Sequence, residues 1–302
     1  MRKIILLVLV LFSTSALAGG ALVLQSDFGV RDSAVASMKG VAVGVSADID
    51  IYDLTHDIPV FNIWEASLRL IQVVEYWPKG TVFVSVVDPG VGTERKSVVL
   101  LTKSGHYFVT PDNGTLTFVA EQLGIEAVRE IDEAVNRLAN SEESYTFHGR
   151  DVYAYTGARL ASDTISFEEV GRLLPAEVVS IEYQKPLLED GVIFGNIPIL
   201  DIQFGNIWTN IDRATFRALG VSAGDIFDVR IEHDGTTVFE GQLPYFTSFG
   251  RVDEGETLLY LNSVGGVSFA INQGSFAETF GISSGPEWRV EIAKQESSKP
   301  VD

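Results

Sequence analysis

An acid and a base flank a glycine-rich turn at residues 88–95. Thr81–Val87 is rich in β-branched residues and predicts a buried strand, and Asp88 follows at its carboxyl end. The turn Pro89–Gly92 then leads to Arg95. Ligands bind at this edge of open α/β sheets, and glycine lets a ligand approach the main chain closely. The alternative is an ordinary turn with a solvated ion pair, which contributes little.

The same construction, an acid or amide just past a predicted strand, recurs in the first half of the chain: Asp27 after Ala21–Gln25, Asp57 after Asp48–Leu54, and Asp112-Asn113 after His106–Thr110. If these strands are parallel, their loops meet at one edge of the sheet. Together with the loop at Asp88, they predict a polar site that binds hydroxyl and amine groups.

His148 lies at the entrance of a predicted helix, Val152–Ala161, between an aromatic residue and a glycine. A structural histidine and a functional one both fit this position. The chain's four histidines are far apart and show no metal-ligand spacing, so we expect no metal site. No Walker loop or GxGxxG motif is present.

The elements that must position these loops follow from the spacing of apolar residues. Asp32–Val45 and residues 115–123 predict helices, and a third begins at Asn62, with apolar residues at helical spacing: Ile63, Ala66, Leu70, Val73, Val74 and Trp77. Asn62 and Glu65 predict a capping box. With a further strand at Ser97–Thr102, residues 19–185 are predicted to form an α/β domain, a mostly parallel sheet flanked by helices.

The pattern changes near residue 185, where we place a domain boundary. Beyond it, short strand-like runs separated by glycine-rich turns predict an all-β domain, a barrel, over residues 186–294: Val192–Asp201, Val229–His233, Thr236–Phe239, Thr257–Asn262, Val267–Ile271 and Trp288–Ile292. Asp201, Phe204 and Asn206 could hold a zwitterion and a planar ring, or could form a β-turn. Residues 295–302 are predicted to be a disordered tail.

Composition narrows the class of protein. The 302 residues are 46% hydrophobic and 21% charged, which is typical of a globular chain. The net charge of −19 disfavours nucleic acid as a partner. Because the chain has no cysteine, it can form no disulfide.

The first 18 residues have the pattern of a signal peptide. Arg2 and Lys3 precede the apolar run Ile4–Phe12, and Ala16-Leu17-Ala18 offers a cleavage site. We therefore expect a periplasmic or secreted protein without stable membrane association after cleavage. An uncleaved anchor helix is the alternative.

Six motifs in order make the chain resemble the S-adenosylmethionine hydrolase family (S-adenosyl-L-methionine hydroxide adenosyltransferases), relatives of the fluorinase and chlorinase enzymes: Ser26–Gly29, Thr55-His56, residues 86–95, Pro111–Gly114, Phe147–Asp151 and Phe204–Asn206. The resemblance covers roughly residues 21–285. It implies an N-terminal α/β domain, a C-terminal β-barrel and a homotrimer with active sites between subunits. Water would attack the ribose C5′ of S-adenosylmethionine, the substrate, and release methionine and adenosine without a further cofactor.

The resemblance also implies roles for single residues. Asp88, Arg95 and His148 would handle the water, and Asp27 would bind both ribose hydroxyls. The remaining matches are substrate contacts: Phe61 at the ribose, Asp201 at the methionine ammonium, Phe204 and Asn206 at the adenine, and Phe249 and Ser263 near adenine and methionine. Tyr155 departs from the small or proline residue expected there.

The chemistry is consistent with these residue types. Methionine leaves as a neutral thioether, so the enzyme must supply alignment and a competent nucleophile. A carboxylate and an imidazole can orient and partly deprotonate water, and a neighbouring arginine keeps a carboxylate ionised. The sequence does not decide whether Asp88 or His148 takes the proton. The alternatives are a halogenase of the same fold, whose halide Asp88 would repel, and an exported adenosine- or S-adenosylmethionine-binding protein without turnover.

Overall fold

The structure is a computed structural model that describes residues 20–295. The predicted signal peptide, residues 1–18, and residues 296–302 of the predicted tail lie outside the described residues. The first residue of that tail, Gln295, is ordered, because its backbone N–H donates to the carbonyl of Ile226 at 3.0 Å. No helix within residues 20–295 is both long and apolar enough to cross a membrane.

The N-terminal half is built on one mixed sheet of seven strands in the order β2-β1-β3-β5-β4-β6-β7. Their bounds are β1 Ala21–Ser26, β2 Asp50–Thr55, β3 Val82–Val86, β4 Ser97–Thr102, β5 Tyr107–Pro111, β6 Ile125–Glu130 and β7 Leu173–Leu174. Strands β2, β1, β3 and β5 are parallel, whereas β4, β6 and β7 join antiparallel. The sheet is thus less parallel than predicted, and the sequence patterns missed β6 and β7.

Helices cover both faces of this sheet. They are α1 Ala34–Val45, α2 Ile63–Val74, α3 Thr117–Leu123, and a π-helical turn, Gly149–Ala154, that continues into α4 Tyr155–Ala161. Alternate residues of β1 point to opposite faces, so Leu22 and Leu24 pack with α1 and α4 while Val23 packs with α2 and α3. At the start of α2, Asn62 accepts from the Glu65 amide at 2.9 Å. The Glu65 side chain bonds Arg69 instead of completing the capping box.

The C-terminal half consists of two antiparallel sheets, ordered β10-β11-β15-β14 and β13-β12-β16-β9-β8. Their elements are β8 Leu187–Glu189, β9 Val192–Ile197, β10 Ile199–Asp201, β11 Asn206–Asp212, α5 Arg213–Arg217, β12 Ile226–His233, β13 Thr236–Pro244, β14 Thr257–Leu261, β15 Gly266–Ile271, α6 Phe276–Phe280 and β16 Gly285–Lys294. They enclose one apolar core that includes Phe216, Phe227 and Phe269.

The strand pairs of this half do not close into the predicted barrel. Apart from an isolated bridge between Tyr245 and Leu259, the edge strands of one sheet have no partner in the other within residues 20–295. The two sheets instead meet through their apolar faces: in β12, Phe227, Val229 and Ile231 point inward at every second position.

Candidate functional site

Asp88 and Arg95 form a buried ion pair at the end of β3. Arg95 Nε donates to both carboxylate oxygens of Asp88, at 2.9 and 3.1 Å, and Nη2 donates to the second oxygen as well. The side chains are only 5% and 11% exposed, respectively, so this pair is not the solvated alternative. Burial is the largest influence on Arg95 and disfavours its charge, but the hydrogen bond to Asp88 and the surrounding acidic groups together raise the arginine pKa. The hydrogen bonds from Arg95 hold the Asp88 side chain in one orientation.

Arg95 also reaches His148, with Nη2 lying 2.9 Å from Nδ1. A guanidinium can only donate, so Nδ1 must accept, and the neutral imidazole then carries its hydrogen on Nε2. Burial lowers the pKa of His148, and Arg95 and Arg137 lower it further against the opposing Glu133 and Asp88. Nε2 is buried and has no hydrogen-bond partner within residues 20–295. The histidine is thus a neutral N–H donor with a free hydrogen.

A buried tyrosine is linked to Arg95 through the hydroxyl of Ser97. Arg95 Nη1 donates to Ser97 Oγ at 3.1 Å, and that hydroxyl lies 3.1 Å from the hydroxyl of Tyr153. Residues five apart lie on the same side of a π-helix, so the turn at 149–154 brings Tyr153 edge-on to the His148 ring. Burial raises the pKa of Tyr153, which keeps the phenol protonated. Sequence reasoning missed Tyr153, because α-helical spacing would point it elsewhere.

Four of the predicted site residues, Asp27, Phe61, Asp88 and His148, line one cavity of about 240 Å³, together with Phe28, Val60, Val86, Val91, Thr146, Phe147 and Gly149. One carboxylate oxygen of Asp27 accepts from the backbone N–H of Phe61 at 2.9 Å. Burial raises the pKa of Asp27, although this hydrogen bond opposes the shift. The other oxygen has no hydrogen bond within residues 20–295 and is available to a ligand.

The parallel strands explain why these residues meet. Strands β1, β3 and β5 place the loops of Asp27, Asp88 and Asp112 at one edge of the sheet, as predicted. Only Asp27 and Asp88 line the cavity. Asp112 instead accepts from the amide of Val179 at 2.8 Å, and Asn113 donates to the carbonyl of Val87 at 2.9 Å. These two side chains hold the loops in place and do not form part of the predicted polar site.

Five further predicted residues line a second cavity, of about 1080 Å³, in the C-terminal half: Asp201, Phe204, Asn206, Phe249 and Ser263. Arg95, the tenth, lines neither cavity and contacts Asp88 and His148. Asn206 Nδ2 donates to Asp201 Oδ2 at 3.3 Å across a tight turn. Gly205 in that turn has a φ of 66°, and a Cβ there would collide with the side chain of Ser275. The same wall holds aromatic residues that sequence reasoning missed, Trp208 and Tyr260.

The two cavities share no lining residue, so a single chain holds the predicted site as two separate half-sites. The N-terminal half-site carries the charged cluster and the C-terminal half-site carries aromatic and amide groups. Within residues 20–295, no group of three or more His, Cys, Asp or Glu side chains is arranged to hold a metal ion.

Comparison with known proteins agrees with the motifs. Residues 22–171 match the SAM hydroxide adenosyltransferase N-terminal domain, and residues 195–289 match the corresponding C-terminal domain. A Methanocaldococcus jannaschii protein named (R)-S-adenosyl-L-methionine hydrolase is 40% identical over 64% of this chain and 68% of its own length. A fluorinase from Nocardia brasiliensis is 30% identical over 89% of this chain and 95% of its own. The crystal structure of an uncharacterized conserved protein from Thermotoga maritima superposes with a TM-score of 0.81, at 35% identity, over 90% of this chain and 99% of that one.

Proposed function

The chain belongs to the SAM hydroxide adenosyltransferase family, and we propose that it hydrolyses S-adenosyl-L-methionine to adenosine and L-methionine. One observation carries the proposal: Asp88, clamped by Arg95, and His148, whose Nε2–H has no partner within residues 20–295, line the same small cavity as Asp27. An acid that can bind ribose hydroxyls thereby lies beside groups that can hold and deprotonate a water molecule.

The geometry assigns different roles to Asp88 and His148. Arg95 already uses Nδ1 of the imidazole as its acceptor, so Nε2–H donates to the water oxygen and orients it. Asp88 then accepts a proton as the water oxygen bonds to C5′. The C5′–S bond breaks, and its electron pair leaves with sulfur as a neutral thioether. The products are adenosine, methionine and one proton, which Asp88 returns to solvent.

The same cluster argues against halogenation, although a fluorinase is among the relatives. A halide in the cavity would lie beside the carboxylate of Asp88, in surroundings too buried for water to screen the repulsion. The site therefore favours a neutral nucleophile, and water is the one always present.

We propose further that the chain assembles as a homotrimer whose active sites form between subunits. Two observations support this assembly. The two half-sites are separate in one chain, and large apolar side chains at both cavities are exposed: Val60, Phe61, Phe204 and Phe249. An N-terminal half-site placed against the C-terminal half-site of a neighbour would cover these side chains and join both sets of predicted contacts.

The relatives' name also indicates which sulfonium epimer the site accepts. Because the Methanocaldococcus jannaschii protein is named for the (R) epimer, we propose the same preference here. Attack in line with the C5′–S bond requires a fixed sulfur position, and the two epimers place methionine differently about that sulfur.

Turnover of an epimeric mixture of S-adenosylmethionine in ¹⁸O-labelled water tests the reaction and the preference together. We expect adenosine and L-methionine in equal amounts, the label on the adenosine 5′-oxygen, and the (R) epimer consumed first. Chromatography and mass spectrometry of the products give all three results. Unlabelled adenosine or a halogenated nucleoside would refute hydrolysis at C5′, and substrate returned unchanged would indicate a binding protein. Equal consumption of both epimers would refute only the stereochemical preference.

We propose, lastly, that the chain is exported, on the strength of the signal-peptide pattern in residues 1–18. Amino-terminal sequencing of the protein purified from its natural host should begin near Gly19. A soluble protein that retains Met1 would contradict export without affecting the proposed reaction.

A further inference from the structure

A chain of hydrogen bonds runs from the protein surface to the loop of Asp27 and involves none of the residues assigned above. Lys39 Nζ donates to Asp53 Oδ2 at 2.6 Å, and Asp53 Oδ1 lies 3.0 Å from His56 Nε2. His56 Nδ1 in turn lies 2.6 Å from the hydroxyl of Ser26. Ser26 and His56 are almost completely buried, at 0% and 3% exposure.

The hydrogen bonds from Lys39 to Ser26 can be assigned consistent donors and acceptors. Asp53 can only accept when ionised, so His56 carries its hydrogen on Nε2 and donates it to Asp53. In the neutral imidazole Nδ1 is then an acceptor and takes the hydroxyl hydrogen of Ser26. The Ser26 oxygen remains free to accept the backbone N–H of Phe28, which lies 3.3 Å away. Each group has one role, so the orientation of the Ser26 side chain follows from His56.

A bulge makes this contact possible. The register between β1 and β2 shifts after the pair Leu24 and Asp53, so that Gln25 faces Thr55. His56 is the first residue after β2. The extra residue at the end of that strand accompanies the turn of His56 toward Asp53. Bulges are frequent next to binding sites, where they change the direction of a side chain.

Two further hydrogen bonds near Asp27 join the loop after β1 to the loop after β2. The amide of Gly29 donates to the carbonyl of His56 at 2.8 Å, and the amide of Phe61 donates to Asp27 Oδ2 at 2.9 Å. Phe61 has a φ of 67°, a conformation that a bulky residue adopts only when its surroundings hold it. The carboxylate of Asp27 therefore lies between the Ser26 turn and a strained aromatic residue at the cavity.

We propose that His56 is a positioning residue, which through Ser26 fixes the carboxylate of Asp27 for the two ribose hydroxyls. This inference rests on the proposed function for the identity of the ligand, but not for the hydrogen bonds themselves. Ser26 cannot act as a nucleophile, because it is fully buried and does not line the cavity. Without the Ser26 hydrogen bond, the turn loosens and Asp27 loses its alignment.

The test compares Ser26→Ala with Thr55→Ala, which removes a hydroxyl from the end of β2, where within residues 20–295 it accepts only from the Asp57 amide. In Ser26→Ala we expect KM to rise about tenfold with kcat nearly unchanged, the effect of one lost hydrogen bond. The loss should vanish for the 2′,3′-dideoxy analogue of the substrate, which has no hydroxyls for Asp27 to bind. Thr55→Ala should match the unmodified protein with both substrates.

A second pair of variants tests the proposal even if Ser26→Ala lowers activity by destabilising the fold. In His56→Asn the amide oxygen replaces Nδ1 as the acceptor, so KM should stay close to that of the unmodified protein, whereas His56→Leu should behave like Ser26→Ala. A tenfold increase in KM for the dideoxy analogue as well would overturn the positioning role.

Hydrogen exchange at the Phe61 amide tests the positioning independently of turnover, because within residues 20–295 this amide bonds only Asp27. We expect exchange about tenfold faster in Ser26→Ala and His56→Leu and unchanged in Thr55→Ala. If the unmodified protein failed to hydrolyse S-adenosylmethionine, the proposed function would fall while this measurement still decided the role of His56. Unchanged exchange in both altered proteins would refute the inference.

Discussion

Replacing Asp88 with asparagine should lower kcat by about 10²–10⁴-fold, the range of a positioned acid–base group, while substrate affinity changes little. The asparagine oxygen can still accept from Arg95, so the loop keeps its shape, but the amide cannot take a proton from water. Because Asp88 contacts the water and not the substrate, the dissociation constant should stay within a few-fold. Single-turnover kinetics and calorimetric titration measure the two effects separately.

Asp57→Asn is a matched control for this change, because it removes the same charge from an exposed loop after β2, another parallel strand of the same sheet. It should leave kcat unaltered. His148→Gln supplies a second comparison: the amide N–H can replace the imidazole N–H as a donor, so it should retain more activity than His148→Ala. Full activity in Asp88→Asn would refute the assignment of the base. Equal losses in the two His148 variants would indicate that the imidazole itself accepts the proton.

Mixing two inactive proteins should restore activity if the site forms between subunits. Asp88→Asn damages only the N-terminal half-site, and Asp201→Ala damages only the C-terminal half-site. In trimers reassembled from equal amounts, about one site in four joins two intact halves, by random pairing around a closed ring. We therefore expect about a quarter of the unmodified activity, measured at substrate concentrations where Asp201→Ala alone is inactive.

The control for this experiment is the same pair of proteins mixed without dissociation, which should remain inactive. A protein that carries both changes, mixed with the unmodified chain, shows whether reassembly itself preserves function. If the mixture stays inactive although mass spectrometry finds hybrid trimers, each site belongs to one chain. A monomer with full activity under the assay conditions would exclude the assembly altogether.

Much of the N-terminal domain could be predicted because its elements are local. The periodicity of residues 62–77 predicted α2, and the β-branched run before Asp88 predicted β3. Strands β6 and β7 escaped prediction because β7 is only two residues long and β6 carries three charged residues. The barrel was not confirmed, for a different reason: alternation within strands predicts sheets, but not whether their edges pair.

The sequence by itself determined which chemical groups this protein has and where the chain turns: an acid after each parallel strand, an arginine after the glycine-rich turn, and a histidine at a helix entrance. Only the tertiary structure decided how these groups act on one another. Arg95 and His148 are 53 residues apart and meet because the π-helical turn after His148 packs against β3, and their contact assigns the imidazole hydrogen to Nε2. Ser26 and His56 meet across a bulge, and the predicted site divides into two cavities. Hydrogen-bond direction and cavity shape depend on distances between residues remote in sequence, which local periodicity does not encode.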